Sequence, residues 1–402
     1  MDMIFLILIY LAFISLGLPD SLLGSSWPIM NTDLGVPIGN AGIASMIISV
    51  GTIISSLLSY KLIRVIGTGK VTIISVAMTA VALLGFSLSP SFIWLLAFAI
   101  PLGLGGGAVD AGLNRFVAEH YEAKHMNWLH GFWGVGAMLG PILMSTLVLW
   151  GNTWRNGYFT ISMVQFSLVI LLLFSLPMWR KFEGPSTKPT EEDLQSKDKP
   201  GLLASLKTRG AIFGMFSFFL VSSTEASMML WGSSYLVKNE SISPESAAGW
   251  VSLFFLGITA GRMLSGFISM KLSNEALIRL GAILTILGFF IMLLPLPTMF
   301  TLISFIIVGA GLAPIYPSML HQTPIYFGQH NAQAAMGMQM AFAYTGTTLV
   351  APLFGQLFAH VSFSLMPYVL LACGVGLLTC REMLTRAYKK KAGVHKSASL
   401  ES

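Results

Sequence analysis

Long apolar blocks, interrupted by very few charges, run through most of this chain and constrain its fold. Met3–Met30 contains one charged residue, Asp20, and Ala211–Val237 contains one, Glu225. A helix of about 20 apolar residues crosses the hydrocarbon core of a bilayer. Strands of a membrane barrel would instead show alternating segments of about 10 residues, a pattern that is absent here. Only 10% of the residues are charged, against about 25% in an ordinary soluble domain. The sequence therefore predicts an all-α membrane protein.

The distribution of basic residues predicts the topology of twelve transmembrane helices. With both termini in the cytoplasm, all but two of the 23 Lys and Arg residues fall on the cytoplasmic side, and the exceptions are Arg155 and Lys238. This bias follows the positive-inside rule of membrane proteins. The formal net charge of +6 is therefore a topology signal, and we expect no nucleic-acid partner. The predicted spans are 4–30, 38–63, 69–88, 91–118, 128–150, 156–180, 211–237, 244–271, 275–296, 298–324, 331–360 and 363–388.

A weak internal repeat predicts two pseudo-symmetric six-helix bundles. Gly24-Ser25-Ser26-Trp27 late in span 1 recurs as Gly232-Ser233-Ser234-Tyr235 late in span 7, at an offset of 208, and Pro141 recurs as Pro352 at an offset of 211. Parallel repeats of this kind place a solute site between the halves, near the middle of the bilayer, and rocking of the halves gives alternating access. The predicted organisation is an N-terminal bundle at 1–180, a polar cytoplasmic linker at 181–210, a C-terminal bundle at 211–390 and a tail at 391–402.

Three acidic residues lie deep inside predicted spans: Asp20, Asp110 and Glu225. A carboxylate at this depth costs at least about 2.5–3.5 kcal/mol, so it normally faces a cavity or a partner. A buried carboxyl group can take up and release a proton near neutral pH, as coupling to a proton gradient requires. We therefore predict proton coupling through these acids. The structural alternative is a hydrogen-bonded acid that holds two helices together.

Other polar and aromatic residues in the spans are candidates for binding the solute. Asp110 and Asn114 lie one helical turn apart, so they face the same way and offer a carboxylate and an amide to sugar hydroxyls. His130 opens span 5 and is either a structural group or a ligand of the solute. Aromatic rings can stack on a sugar, although Trp and Tyr are also common at membrane interfaces. The aromatic candidates are Trp27, Trp133, Trp231, Tyr316 and Tyr344, and the amide candidates are Gln165, Gln322 and Gln339.

Motifs of enzymes and pumps are missing from the sequence. The phosphate-binding pattern Gly-x-x-x-x-Gly-Lys-Ser/Thr is absent, which argues against a pump driven by ATP. Neither a His-Glu-x-x-His motif nor a Cys pair suggests a metal site. We therefore expect no enzymatic activity, no cofactor and no metal, and we expect transport to draw its energy from a solute or ion gradient.

The chain resembles the major facilitator superfamily over nearly all of its length, through its twelve spans, two halves and long central loop. The superfamily's loop after span 2 usually contains Gly-x-x-x-Asp-Arg-x-Gly-Arg-Lys, and here Gly67 and Lys70 fit that pattern. The acidic residue is missing, and with it the group usually assigned to a conformational latch. The second-half counterpart, Gly261-Arg262-x-x-x-Gly266, is better kept. The resemblance implies the superfamily's fold.

Within the superfamily, the chain looks most like the fucose permease group of fucose–proton symporters. Span 4 is similar to that group's glycine-rich stretch, which ends in Glu-x-Ala-x-Asn-Pro-Phe-Val. The resemblance implies that Asp110 takes the place of an acid used for solute binding and proton coupling, and Asn114 that of the asparagine. Asp20 takes the place of the protonated acid of span 1. Asp110 instead of Glu, and Arg115 instead of Pro, leave the particular sugar open.

Three functional classes follow from these observations. The leading hypothesis is a secondary active transporter that takes up a sugar or sugar-like small solute together with H⁺. The alternative is a proton-driven efflux antiporter for amphipathic drugs, metabolites or lipids, because Gly136-x-x-x-Gly140-Pro141 is half of the antiporter motif of span 5. A non-transporting sensor or scaffold is disfavoured by the cost of keeping three buried acids. We expect a monomer in the bilayer of the inner or plasma membrane.

Overall fold

The computed structural model describes residues 3–121, 123–179, 208 and 210–398. Helix is the only regular secondary structure within these ranges, as the apolar blocks predict. Most of the predicted linker lies outside the described residues, whereas the last helix continues into the predicted tail as far as Ala398. The helices are α1 (Met3–Asp20), α2 (Leu22–Asp33), α3 (Ala41–Ile66), α4 (Thr68–Ser87), α5 (Phe92–His120), α6 (Ala123–Leu149), α7 (Trp154–Trp179), α8 (Ala211–Asn239), α9 (Pro244–Trp250), α10 (Ser252–Ile268), α11 (Asn274–Met292), α12 (Thr298–Leu312), α13 (Ile315–Phe327), α14 (Gln329–Thr345), α15 (Ala351–His360) and α16 (Met366–Ala398).

Eleven segments of the described chain are long and apolar enough to cross a membrane. They correspond to predicted spans 1–10 and 12. Predicted span 11, at 331–360, is the helical pair α14 and α15, joined by a π-helical turn at Gly346–Val350. The first half of this pair is amide-rich, with Asn331, Gln333 and Gln339 in its sequence, and this polarity keeps it out of the eleven apolar segments.

Prolines mark three interruptions of the spans. Span 1 is divided into α1 and α2 at Ser21, two residues after Pro19. Span 10 is divided into α12 and α13 at Ala313 and Pro314, and the π turn before α15 is followed by Pro352. A proline cannot donate a backbone hydrogen bond, and its ring clashes with the preceding turn of the helix. These helices can therefore bend near their middle, as we expect for a transporter.

The N-terminal helices (α1–α7) and the C-terminal helices (α8–α16) meet closely where the two copies of the predicted repeat lie. The Ser233 hydroxyl donates a hydrogen bond to the backbone oxygen of Ser25, at 2.9 Å. A Cβ atom on Gly24 would lie 2.0 Å from the backbone oxygen of Met229, closer than two atoms can approach. Only glycine permits this approach of α2 to α8, which explains the glycine of the first repeat copy.

Two further close approaches between the helix groups are related to each other by one sequence offset, close to that of the repeat. A Cβ atom on Gly42 would lie 2.9 Å from Cβ of Pro352, and one on Gly249 would lie 3.0 Å from Cβ of Ser145. An offset of 207 residues relates Gly42 to Gly249 and Ser145 to Pro352. The contacts of Gly42 and Gly249 lie near the loops that follow α2 and α8, at the end of the molecule opposite Met3 and Ala398, and the contacts of Gly24 and Ser25 lie toward the same end. The two helix groups are thus packed together at that end.

Candidate functional site

A cavity of about 230 Å³ lies between the two helix groups. We call it the central cavity. Asp20, at the end of α1, lines it, and its side chain is exposed to it. The opposite wall includes Met229 of α8 and Tyr344 of α14. The other polar side chains in the lining are hydroxyls: Ser45, Ser49, Thr52, Thr79 and Thr347. The cavity therefore offers one carboxylate, several hydroxyl groups and an aromatic ring within largely apolar walls.

A second cavity, of about 370 Å³, lies beside α6, α10, α11 and α13. We call it the arginine cavity, because Arg262 lines it. His130 contributes from the N-terminal helices, and the remaining lining comes from the C-terminal helices. That lining includes Tyr316 and His321. This cavity therefore carries basic and hydrogen-bonding groups, in contrast to the acidic central cavity.

Trp133 of α6 connects the two cavities. Its Nε1 atom donates a hydrogen bond to Oδ2 of Asp20, at 2.8 Å. Its ring lies under the guanidinium group of Arg262, 5.1 Å from the ring centre. Nη2 of Arg262 in turn contacts Oε1 of Glu225 at 3.4 Å. Asp20, Trp133, Arg262 and Glu225 thus form a continuous chain of polar contacts, which crosses from the N-terminal to the C-terminal helices.

Asp110 and Asn114 interact on α5 as their spacing predicts. Nδ2 of Asn114 donates to Oδ1 of Asp110 at 2.9 Å. Oδ1 of Asn114 is buried and has no hydrogen-bond partner. Asp110 does not line either cavity, but it is close enough to Asp20, Tyr316 and Tyr344 for its charge to act on them. Neither residue lines a cavity, so the contact of this pair with a solute stays a prediction.

Three other predicted site residues are buried and make internal contacts. Nε1 of Trp27 donates to the backbone oxygen of Ile38 at 2.5 Å, and Nε1 of Trp231 donates to that of Ala351 at 2.7 Å. Oε1 of Gln165 accepts from the Ser15 hydroxyl at 2.7 Å, and its Nε2 donates to the Ser15 backbone oxygen at 2.6 Å. None of the three lines either cavity. These contacts account for their polar atoms, and a role in solute binding stays a prediction.

The two remaining glutamines have partners within the C-terminal helices. Oε1 of Gln322 accepts a hydrogen bond from Arg381, a buried arginine whose guanidinium group also lies 5.4 Å from the ring centre of Tyr326. Oε1 of Gln339 accepts from the Thr323 hydroxyl at 2.8 Å. Neither glutamine lines either cavity. Their arrangement is that of residues joining helices, and their predicted contact with solute is likewise untested.

Sequence reasoning missed the position of Arg262. We counted it among the cytoplasmic charges near the end of span 8, but α10 continues for six residues beyond it, to Ile268. Its side chain therefore lies between the helix groups, against Trp133 and Glu225. The signal that could have found it is the pair of opposite charges that Glu225 and Arg262 place in consecutive spans.

Helices long enough to span a bilayer, in two groups around polar cavities, define a polytopic membrane transporter rather than an enzyme. Residues 9–351 match the Major Facilitator Superfamily, so the chain belongs to that superfamily. The glucose/mannose transporter GlcP of Bacillus subtilis (strain 168) is 27% identical over 50% of this chain and 49% of that protein. The hexuronate transporter of the same organism is 24% identical over 48% of this chain and 47% of that one. The chain thus matches about half the length of these relatives.

Solved structures share the fold at low sequence identity. The nucleoside transporter NupG has a TM-score of 0.75 and 14% identity, with 94% of this chain and 98% of that chain covered. The peptide transporter POT in complex with alafosfalin has a TM-score of 0.73 and 14% identity, with 96% and 95% covered. At such identities the likeness establishes the fold alone.

Proposed function

We propose that this protein is a proton-coupled symporter of a sugar or sugar-like solute that works by alternating access. The observation that carries the proposal is the position of Asp20, which lines the cavity between the two helix groups, close enough to Asp110 for their charges to interact. Protonation of such a carboxyl group changes the charge of the chamber that holds the cargo. The names of two relatives, a glucose/mannose transporter and a hexuronate transporter, support a sugar-like cargo.

The coupling follows from the cost of enclosing charge between apolar helices. Two carboxylates between apolar helices, Asp20 on the central cavity and Asp110 outside its lining, repel each other, and Asp20 loses hydration when the cavity closes. A proton on one of them removes the repulsion, and a solute hydroxyl can then take the place of water at Asp20. Closure is therefore favoured when proton and solute are bound together. The transporter with proton and solute both bound therefore changes its conformation more readily than the transporter with only one of them bound.

Proton-driven export of an amphipathic compound is the second candidate. Leu16, Leu23, Ile48, Leu102 and Leu230 line the central cavity and give it an apolar wall. Such a wall suits a hydrophobic drug or lipid as well as one face of a sugar ring. Alkalinisation of the medium on adding solute to cells would favour symport, whereas resistance to added dyes would favour export.

Substitution of Asp110 by Asn tests the proposal, because the amide keeps the shape of the side chain and cannot carry the proton. We expect Asp110→Asn protein, reconstituted in proteoliposomes with an inward proton gradient, to insert normally but to lose accumulation of sugar above the external concentration. Glu240→Gln is the matched control, since Glu240 lies in the loop after α8, and it should accumulate solute as the wild type does. Concentrative uptake by Asp110→Asn at the wild-type level contradicts the proposal.

A further inference from the structure

The arginine cavity has the chemistry of an anion site. Arg262, His130 and His321 line it together with hydroxyl groups of Ser265, Ser269 and Ser318. Among the described residues, none that lines this cavity is acidic. Nδ2 of Asn274 lies 3.0 Å from Nδ1 of His321, which orients that ring. The Ser265 and Ser269 hydroxyls donate to the backbone oxygens of Arg262 and Gly266, so the donors offered to a carboxylate are the guanidinium group, the imidazoles and the Ser318 hydroxyl.

Arg262 has donor capacity left over. One of its nitrogens, Nη2, contacts a single oxygen of Glu225 at 3.4 Å, which is the long end of a hydrogen bond. The described part of the chain gives the guanidinium group no second acceptor, although the group has five N–H donors in a planar fork. Its side chain retains 23% exposure. Glu225 therefore holds Arg262 without saturating it, and the fork can accept a second carboxylate.

We infer that the arginine cavity is an anion subsite, and that the transported solute is a sugar acid whose carboxylate binds Arg262. This inference rests on the proposed function and narrows its cargo. Trp133 joins the subsite to the central cavity, because its ring lies under Arg262 while its N–H binds Asp20. Arg262 and Trp133 thus separate a bound carboxylate from Asp20, the proposed proton acceptor. The sugar hydroxyls are then directed to the polar groups between the helix groups.

The charges around the subsite explain why an anion and a proton would travel together. The titratable and charged groups facing Arg262 are His130 on α6, Glu225 on α8, and Tyr316 and His321 on α13. Asp20 and Asp110 follow beyond Trp133 and Tyr316. Arg262 is the single arginine in this group, which already contains three acids, Asp20, Asp110 and Glu225. A bound carboxylate adds a fourth negative group. Uptake of one H⁺ by the pair Asp20 and Asp110 restores the charge of the empty chamber. The anion is therefore bound most tightly when the proton is bound as well.

The test compares three probes of nearly the same shape on the purified full-length protein. D-Glucuronate carries the carboxylate, D-glucuronamide replaces it by a neutral amide, and D-glucose lacks it. A ligand of the folded state raises the unfolding temperature by mass action. We expect glucuronate to raise the melting temperature more than both neutral sugars do. Equal shifts for glucuronate and glucuronamide overturn the inference.

Variants locate the effect at the guanidinium group. Arg262→Gln should weaken glucuronate binding about tenfold or more, the loss expected for a hydrogen-bonded charged pair, and leave the glucose shift intact. Glu225→Gln, which removes the competing carboxylate, should tighten glucuronate binding. Lys271→Gln is the matched control, because Lys271 follows α10 outside the cavity, and it should change neither. An unchanged preference for glucuronate in Arg262→Gln, or weaker binding in Glu225→Gln, contradicts the assignment.

Two further arms separate other outcomes. If Arg262→Gln protein is not monodisperse, Arg262→Lys keeps the charge without the planar fork and should still lose most of the preference for glucuronate; full retention overturns the inference. Acetate and inorganic phosphate at the same concentration should give no shift, and a shift equal to that of glucuronate contradicts a sugar acid. Failure of the proposed function has a different signature: no sugar accumulates under a proton gradient, or Asp110→Asn accumulates sugar as the wild type does.

Discussion

Trp133 contacts two charged side chains, one through its N–H group and one through the face of its ring. The hydrogen bond to Asp20 joins α6 to α1, and the contact with Arg262 joins α6 to α10. A hydrogen bond to a charged group contributes about 1.5–3 kcal/mol, and a cation over an aromatic ring contributes about 0.5–2 kcal/mol. The indole of Trp133 therefore links Asp20 of the central cavity to Arg262 of the arginine cavity.

Substitution of Trp133 by Phe separates these two contacts. Phenylalanine keeps a ring for Arg262 and removes the donor to Asp20, so we expect the free energy of unfolding to fall by about 1.5–3 kcal/mol. Thermal unfolding of the purified protein measures the change. Trp128→Phe is the control, since Trp128 is on the same helix and 51% exposed, and it should melt close to the wild type. Equal melting temperatures for the two variants would show that the hydrogen bond contributes little.

At the scale of helices, the close approach of one helix to another depends on glycine. α2 reaches α8 through Gly24, and α3 reaches α15 through Gly42, at positions where a Cβ atom would meet the neighbouring chain. The breaks next to Pro19 and Pro314 divide two spans into shorter helices that can reorient. Tight glycine contacts at one end and breaks near the middle let one end of the molecule close while the rest bends. This is the arrangement that alternating access requires.

Replacement of Gly24 by Ala should favour opening of the closed end. The added methyl group would lie 2.0 Å from the backbone oxygen of Met229, so α2 and α8 must separate. Overpacking of this kind costs about 1–3 kcal/mol, which corresponds to roughly 5–150-fold in the population of the closed state. We expect a cysteine placed at Ser45, in the central cavity, to react faster with a membrane-impermeant maleimide added from the side of the closed end.

Gly266→Ala provides the matched control for this substitution. A Cβ atom on Gly266 would have no neighbour within 4 Å, so this variant should label at the rate of the parent protein. The same labelling rate for Gly24→Ala and Gly266→Ala would mean that contact between α2 and α8 does not hold that end closed.

At the scale of the whole molecule, two of the close contacts between the helix groups are related as a pair. Gly42 against Pro352 and Gly249 against Ser145 are equivalent under an offset of 207 residues. In the topology predicted from the basic residues, this closed end faces away from the cytoplasm. Transport requires these paired contacts to separate.

A disulfide across one of these contacts should arrest transport. Cβ atoms at positions 145 and 249 would be 3.0 Å apart, close to the separation of about 3.5–4.5 Å found in disulfides. We expect oxidation of the Ser145→Cys/Gly249→Cys protein to abolish uptake in proteoliposomes and reduction to restore it. Each single variant should keep its uptake on oxidation, because it has no second thiol at this contact, and reductant breaks no native disulfide, since Cys373 and Cys380 are free. Full uptake by the cross-linked protein would contradict movement at this end.

Two acids and two tryptophans among the candidate site residues show what the sequence can locate and what it cannot. Asp20 lies on a cavity and Glu225 in the chain of polar contacts, because charge inside an apolar span must find water or a partner. Trp27 and Trp231, in contrast, are fully buried and bonded to backbone oxygens, since a large ring packs favourably anywhere in a helical interior. Residue type alone does not separate a ring that packs from one that stacks on a solute.

Hydrophobicity along the chain by itself determined the membrane-spanning helices, because an apolar segment of sufficient length inserts whatever its neighbours are. The Gly-Ser-Ser motif predicted a repeat, and the two copies of that motif meet at Ser25 and Ser233. Only the tertiary structure brought Arg262 to Trp133 and Glu225, and only it left Oδ1 of Asn114 without a partner. Contacts between helices depend on how each helix is rotated and where it bends, and this is set by packing against the other helices, not by any single segment.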